Sequence, residues 1–335
     1  MKISVTDVKK IAIFRALQLG DMLCIIPAIR ALRYAYPTAH ITLLGLPWAK
    51  SFTERFSSYF DDFEHFPGFP GLPEQPFNAA ETVKYLSGVQ GRYDLLLQMQ
   101  GNGTVINPMM ELFGAAHTGG FYTLNDFIAN TETFFAYPDY GPEPQRHVLL
   151  MEHLGIPEKG LELEFPITAQ DEQDYADLQL PLQKGKYVCI HPGSRGAWRQ
   201  WPTENFAAMA DYCAEQGYQP VITGTVPEMP IVNEVISKMN HQAVNAAGKT
   251  NLGAMGVLIK NSRLLVSNCT GVSHMASAFK TPSVVICMDG EPERWGPVNQ
   301  QIHRTINWLQ YPDFSLVKNE LVDLLNVAET PLMNE

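Results

Sequence analysis

The feature that most constrains this chain is an alternation: short apolar runs, each broken by a polar turn and followed by residues at helical spacing. It is clearest at Tyr187–Phe206. There the β-prone Tyr187-Val188-Cys189-Ile190 stops at His191-Pro192-Gly193, and a helix starts after Trp201-Pro202-Thr203. Strand, turn and helix return through Gln219–Gly224, Leu264–Gly271 and Ser283–Met288, with Val244–Thr250 ending in a further turn. Strands separated by helices pair in parallel, because each crossover returns the chain to the same end of the sheet. Polar turns at the carboxyl ends of such strands therefore share one edge, where open α/β sheets bind ligands.

The first half carries the same signature. Lys10–Phe14 reads as a buried strand, Arg15–Asp21 as a loop, and the run from Met22 as a helix capped by Asp21, with Pro27 kinking it or delaying its start. His40–Gly45 and Tyr93–Met99 read as further strands, the second followed by Gln100-Gly101-Asn102-Gly103. That turn has Ile106 where a dinucleotide fingerprint needs its third glycine, so it is weak evidence for NAD. Residues 61–79, rich in Pro, Gly and Phe, read as an irregular loop facing an acceptor or a membrane. Leu161–Pro166 is strand-like, and an acidic helix is expected over Asp171–Leu178.

A chain of 335 residues exceeds what one core usually supports. The expected division is an N-terminal domain over 1–180, a second over 181–312, and a C-terminal helix and tail over 313–335 packing back on the first. A net charge of −11 argues against a nucleic-acid partner. Residues 1–50 are the exception: Lys2, Lys9, Lys10, Arg15, Arg30, Arg33 and Lys50 face only Asp7 and Asp21. Such a basic stretch suits an anionic acceptor, peripheral contact with the inner membrane surface, or a solvated helix face. No apolar run spans a bilayer and the N-terminus lacks a signal-peptide pattern, so a cytoplasmic location is expected. The five cysteines contain no CxxC pair, which argues against a disulfide framework and a zinc site. No Asp-x-Asp pair offers to hold a metal-bound diphosphate.

Four strand ends in the second half collect polar, helix-capping chemistry: His191–Arg199, Thr223–Glu228, Gly248–Thr250 and Asn268–His274. Gly193, Ser194, Arg195 and Arg199 suit an anionic group such as phosphate. The helix start after Thr270-Gly271 points backbone N–H groups at a diphosphate. Glu228 is placed to accept from ribose hydroxyls. Each turn alone reads equally well as a cap; their convergence on one edge is the argument.

In order along the chain, these motifs resemble glycosyltransferase family 9, the heptosyltransferases of lipopolysaccharide core assembly. The resemblance rests on Leu19-Gly20-Asp21, Gln100-Gly101-Asn102, Arg199-Gln200-Trp201-Pro202, Thr223-Gly224 with Glu228, Gly248-Lys249-Thr250, Cys269-Thr270-Gly271 with His274, and Trp295-Gly296-Pro297. It implies a GT-B fold of two doubly wound, Rossmann-like α/β domains facing across a cleft. It further implies inverting transfer without metal or cofactor, from a nucleotide sugar (ADP-linked) to a glycan or glycolipid acceptor. The donor would be held through Gly193, Ser194, Arg195, Thr223, Gly224, Glu228, Gly248, Thr250, Asn268, Cys269, Thr270, Gly271 and His274. The acceptor would lie by Gln100 and Asn102. Inversion needs one general base, which the resemblance places on Asp21, while Arg199 meets leaving-group charge. Asp21 at a helix start is expected to be ionised, with a lowered pKa. One departure is Cys269, where the family usually has aspartate; a thiol grips sugar hydroxyls less strongly, unless Asn268 compensates. That departure motivates one alternative, a non-catalytic nucleotide-sugar binder; a third reading is a GT-B-like nucleotide-sugar epimerase.

Overall fold

In the computed structural model, which describes residues 2–327, the alternation builds two parallel sheets of six strands each. The chain divides into two compact units, Met1–Leu161 and Glu162–Glu335. The first runs β1 (Lys10–Phe14), α1 (Leu19–Ala35), β2 (His40–Gly45), α2 (Ala49–Arg55), β3 (Asp62–His65), α3 (Ala79–Val89), β4 (Leu95–Gln98), α4 (Ile106–Met110), β5 (His117–Tyr122), β6 (Phe134–Ala136) and α5 (Glu143–His153). The second runs α6 (Ala169–Asp177), β7 (Tyr187–His191), α7 (Thr203–Glu215), β8 (Gln219–Ile222), α8 (Met229–Lys238), β9 (Val244–Asn245) and α9 (Leu252–Asn261). It continues with β10 (Leu264–Asn268), α10 (Gly271–Phe279), β11 (Ser283–Cys287), α11 (Pro292–Trp295), β12 (His303–Asn307) and α12 (Phe314–Val327).

The strand orders are β3-β2-β1-β4-β5-β6 and β12-β11-β10-β7-β8-β9. Counted from its own first strand, each sheet has the same doubly wound order. The order reverses between β1 and β4 in one unit and between β7 and β10 in the other, and ligands bind at such switch points. Ile11–Phe14 and Tyr187–Ile190 have no exposed surface, as strands covered on both faces must be. The helix α1 is apolar almost all round, with Met22 to Ala28 buried without a break.

Several expectations need correction. The boundary falls at Leu161–Glu162 rather than near 180, because the segment after it belongs to the second unit. Phe165 lies edge-on to Phe279, and Asn251 Nδ2 donates to Asp174 at 2.6 Å. Leu161–Pro166 forms no strand. Within α12, Val317, Leu321, Leu324 and Leu325 enter the second core with Trp201 and Ile190. The tail 328–335 lies outside the described residues. Strand β3 falls inside the stretch read as irregular, and β6 and the end of β5 lie in the aromatic, irregular run from Phe121 to Tyr140. Helix α1 begins at Leu19, so Pro27 sits in its interior and Asp21 is its third residue; Gln18 is the cap.

The basic N-terminal stretch is partly internal. Arg30 donates to the Lys159 and Gly160 carbonyls, and Arg33 to the Tyr59 and Ala39 carbonyls and to Asp61. Arg15 is buried. No helix among the described residues is long and apolar enough to cross a membrane.

Candidate active site

At the switch point of the first sheet, β1 delivers Arg15 and α1 delivers Asp21. The Arg15 side chain is only 1% exposed, so its charge must be met by protein groups. Its Nε donates to the Asp21 carbonyl at 2.9 Å, and its Nη1 donates to the Met99 carbonyl and lies 3.1 Å from His147 Nε2. Its Nη2 lies 3.8 Å from Asp21 Oδ1 and 3.6 Å from Glu143 Oε1. Two carboxylates therefore share one guanidinium. Glu143 is 3% exposed, whereas Asp21 keeps 27% of its side chain open. Burial raises the Asp21 pKa, Arg15 opposes that, and the neighbouring Glu143 charge raises it further. The net direction is upward, against the lowered value expected of a helix start. Removal from water and a second negative charge outweigh the backbone N–H groups of Asp21 and Gln18.

Gln100 and Asn102, expected near an acceptor, follow β4 on the same edge. Gln100 clamps the loop after β1: Oε1 accepts from the Ala16 N–H at 2.6 Å, and Nε2 reaches the Ala16 carbonyl at 3.4 Å. Asn102 Oδ1 accepts from the Thr104 N–H. Beside them is a cavity of about 190 Å³, bounded by Leu17, by Leu72–Glu74 and by Gln100–Ile106. Gly103 (φ +91°) makes this turn possible, since a Cβ there would lie 2.3 Å from the Phe121 carbonyl oxygen.

At the switch point of the second sheet, β7 ends at His191, which is buried against Thr223. The Thr223 hydroxyl donates to the Ile190 carbonyl, and His191 Nδ1 lies 3.0 Å from the Thr223 hydroxyl oxygen. Burial lowers the His191 pKa against the pull of Glu228. A neutral ring that donates from Nδ1 leaves Nε2 as an acceptor. Glu228 accepts from the Thr225 N–H and hydroxyl, closing the turn before α8. A Cβ on Gly193 would lie 2.2 Å from Glu228 Oε1, so a larger residue there would push the Glu228 carboxylate aside. Gly224 and Gly248 are joined by a backbone hydrogen bond of 2.9 Å, which ties the turns after β8 and β9 together. Ser194 and His274 are buried, Thr250 is half-buried and Arg195 is exposed.

Asn268 does not reach outward. It has no exposed surface: Oδ1 accepts from the Trp201 N–H at 2.9 Å, and Nδ2 donates to the Pro192 and Gly193 carbonyls. It braces the β7 loop and cannot make up for a missing carboxylate at Cys269. Trp201 anchors the same loop, wedged against Phe206, Trp308 and Phe314. The short turn Ala197–Arg199 held by this anchor carries Arg199 across the strand ends. Its Nη2 reaches the Cys269 carbonyl at 3.3 Å and Asp289 Oδ2 at 2.5 Å. The Cys269 thiol donates to the Trp295 carbonyl, and its hydrogen bond with Cys287, followed by burial, pushes its pKa well up. It is a neutral group. Thr270 precedes α10 without a side-chain cap; the Ser273 N–H turns back to the Thr270 carbonyl at 3.0 Å, and no side chain caps the Gly271 and Val272 N–H groups ahead of it.

Two sets of residues escaped sequence reasoning. Glu143 and His147 are remote from Asp21 in the chain, and only the packing of α5 on α1 brings them together. Asp289 stands two residues past the end of β11, a position whose polar residue was itself the available signal. Among the described residues no three His, Cys, Asp or Glu side chains gather in a metal-binding group.

Residues 143–321 match the profile of glycosyltransferase family 9 (heptosyltransferase). The lipooligosaccharide heptosyltransferase 2 of Haemophilus influenzae is 22% identical over 303 residues, covering 84% of this chain and 84% of its own. The structure of a family 9 glycosyl transferase from Veillonella parvula matches with a TM-score of 0.76 and 19% identity, over 97% of this chain and 99% of that one. The ADP-heptose lipopolysaccharide heptosyltransferase II of E. coli matches with a TM-score of 0.75 and 19% identity, over 96% and 100%. At these identities the structural likeness establishes the fold, α/β of the GT-B kind.

Proposed function

The chain belongs to glycosyltransferase family 9, and on that premise we propose that it transfers a heptose-like sugar from an ADP-linked donor to a cell-envelope glycan or glycolipid, with inversion and without a metal. The names of its relatives support the sugar, the nucleotide and a role in lipopolysaccharide synthesis. The observation that carries the mechanism is the Asp21 site: one part-open carboxylate with a raised pKa, beside a buried guanidinium and a second acid. A carboxylate made more basic accepts a proton more readily than one at an ordinary helix start.

In this reading Asp21 takes the proton of the acceptor hydroxyl as that oxygen bonds to the anomeric carbon. The bond to the diphosphate breaks and its electron pair leaves with the nucleotide. Arg199 and the uncapped start of α10 meet the charge that develops there. Gly193 and Glu228 shape the ribose side, and the cavity beside Gln100 and Asn102 receives the acceptor. Cys269 contributes a neutral contact to the sugar.

The test mixes purified protein with ADP- and UDP-linked sugars, with and without a lipopolysaccharide-core acceptor, and each with and without EDTA. Nucleoside diphosphate release that requires the acceptor, with an inverted product by NMR, is the predicted result. Binding without release would make the protein a binder. Isomerised donor without acceptor would make it an epimerase. Activity lost to EDTA and restored by a divalent cation would remove the metal-independent step.

A further inference from the structure

We infer that Asp289 is the positioning residue for Arg199, fixing the guanidinium so that its unused edge faces the anion held at the strand ends of the second unit; the anion's identity rests on the proposed function. The parallel pairing of β10 with β11 sets Asn268 opposite Ile286, so Cys269 and Cys287 follow as neighbours at the carboxyl edge. Asp289 comes two residues later, its side chain only 9% exposed. Three donors hold it. Arg199 Nη2 binds Oδ2 at 2.5 Å, while the Cys287 thiol and the Glu291 N–H donate to Oδ1 at 2.8 and 3.3 Å. The carboxylate is thus itself pinned, which lets it pin something else.

A guanidinium has five N–H donors in a rigid plane. Two belong to Nη2, which meets Asp289 and the Cys269 carbonyl. Nε and Nη1 have no protein hydrogen bond among the described residues, and the Arg199 side chain is 28% exposed. The contact with Asp289 therefore fixes the plane of the fork and leaves three donors for a ligand. It does so across three adjacent strand ends: the loop after β7 carries the arginine, the end of β10 supplies a carbonyl and the end of β11 supplies the carboxylate. An arginine on a loop otherwise loses its rotamer freedom at the moment of binding. Pairing it in advance removes that cost, at the expense of some net positive charge.

The idea that Asp289 merely neutralises Arg199 predicts the opposite sign, since removing it would then strengthen anion binding. Two measurements decide. The first needs no substrate: the Arg199 Nε–H signal, assigned by NMR from its loss in Arg199→Lys, is expected to relax as that of a rigid side chain in the wild type, because pinning Nη2 fixes the whole planar fork. It should relax as that of a mobile side chain in Asp289→Ala and take an intermediate value in Asp289→Asn, whose amide oxygen still accepts. The second is ADP affinity by calorimetry, expected to fall roughly tenfold in Asp289→Ala and less in Asp289→Asn. The double variant with Arg199→Ala should bind no more weakly than Arg199→Ala alone. An unchanged Arg199 signal in Asp289→Ala, additive losses in the double variant, or tighter ADP binding would each overturn the inference. Should the wild type bind neither ADP nor any nucleotide sugar, the functional reading fails, and the NMR comparison still decides what Asp289 does. A lowered Tm with unchanged signal and affinity would reduce Asp289 to a structural contact.

Discussion

The two units share a strand order, yet their switch points carry opposite chemistry. In the first, a guanidinium is sealed inside and the group left open is a carboxylate: Arg15 is 1% exposed and Asp21 27%. In the second, the carboxylate is the sealed group and the guanidinium is left open, with Asp289 at 9% and Arg199 at 28%. Each edge uses a buried partner of the opposite sign to set the behaviour of the exposed one. The fold fixes where a reactive group stands; in the proposed mechanism, which member of the ion pair faces outward decides whether the edge accepts protons or binds anions.

The sharpest way to break this contrast is to neutralise the open member on the first edge. Asp21→Asn should lower turnover by roughly 10²–10⁴-fold, the range for a lost general base. Steady-state rates with saturating donor and acceptor check this, and near-wild-type turnover would remove Asp21 from the mechanism. The wild-type kcat should also fall on its acid side through a pKa above the ordinary aspartate range, because burial and Glu143 raise it. On the second edge, Arg199→Ala should reduce kcat/KM about a hundredfold, in line with other losses of a donor to developing charge. Equal activity of Arg199→Lys would show that the charge matters and the planar fork does not.

A smaller effect tests the scaffold. Asn268→Ala strands the Trp201 N–H and the Pro192 and Gly193 carbonyls in a buried site, and should cost about 1–3 kcal/mol of stability. Chemical unfolding measures it, and a loss of activity without loss of stability would mean that Asn268 touches the ligand after all. The smallest effect concerns stability at the first edge. An acid whose pKa is raised by folding binds its proton more tightly in the folded state. Its stabilising contribution is present while it is protonated and is lost as pH rises from about 3.9 through the raised folded value. Asp21→Asn keeps a neutral group at every pH. It should therefore raise Tm slightly at neutral pH, with the gain fading as pH falls below that window. A Tm that drops at neutral pH would show that the Arg15 pairing outweighs the burial.

What could be read from the sequence follows the same division. Apolar runs such as Lys10–Phe14 and His40–Gly45 announce themselves as strands because both faces are covered, and their bounds are found as read. β3 and β6 are short strands beyond these, β3 half-buried at best, and carry no such signal. Arg199 stands out because it follows a strand, and Asp21 through the resemblance to the family. The partners that tune them do not: Glu143 reaches Asp21 only through helix packing, and Asp289 reaches Arg199 only through strand register. Asn268 looked like a ligand contact for a similar reason. Its partners are backbone groups of a loop far away in the chain, and no side-chain pattern reveals those.

The contrast is tested most directly by titrating ADP into the wild type, Asp21→Asn and Arg199→Ala by calorimetry. Asp21→Asn should bind as the wild type does, while Arg199→Ala should bind roughly tenfold more weakly or worse. If Asp21→Asn loses affinity and Arg199→Ala keeps it, the nucleotide does not belong to the second edge, and the division of labour between the two units is wrong.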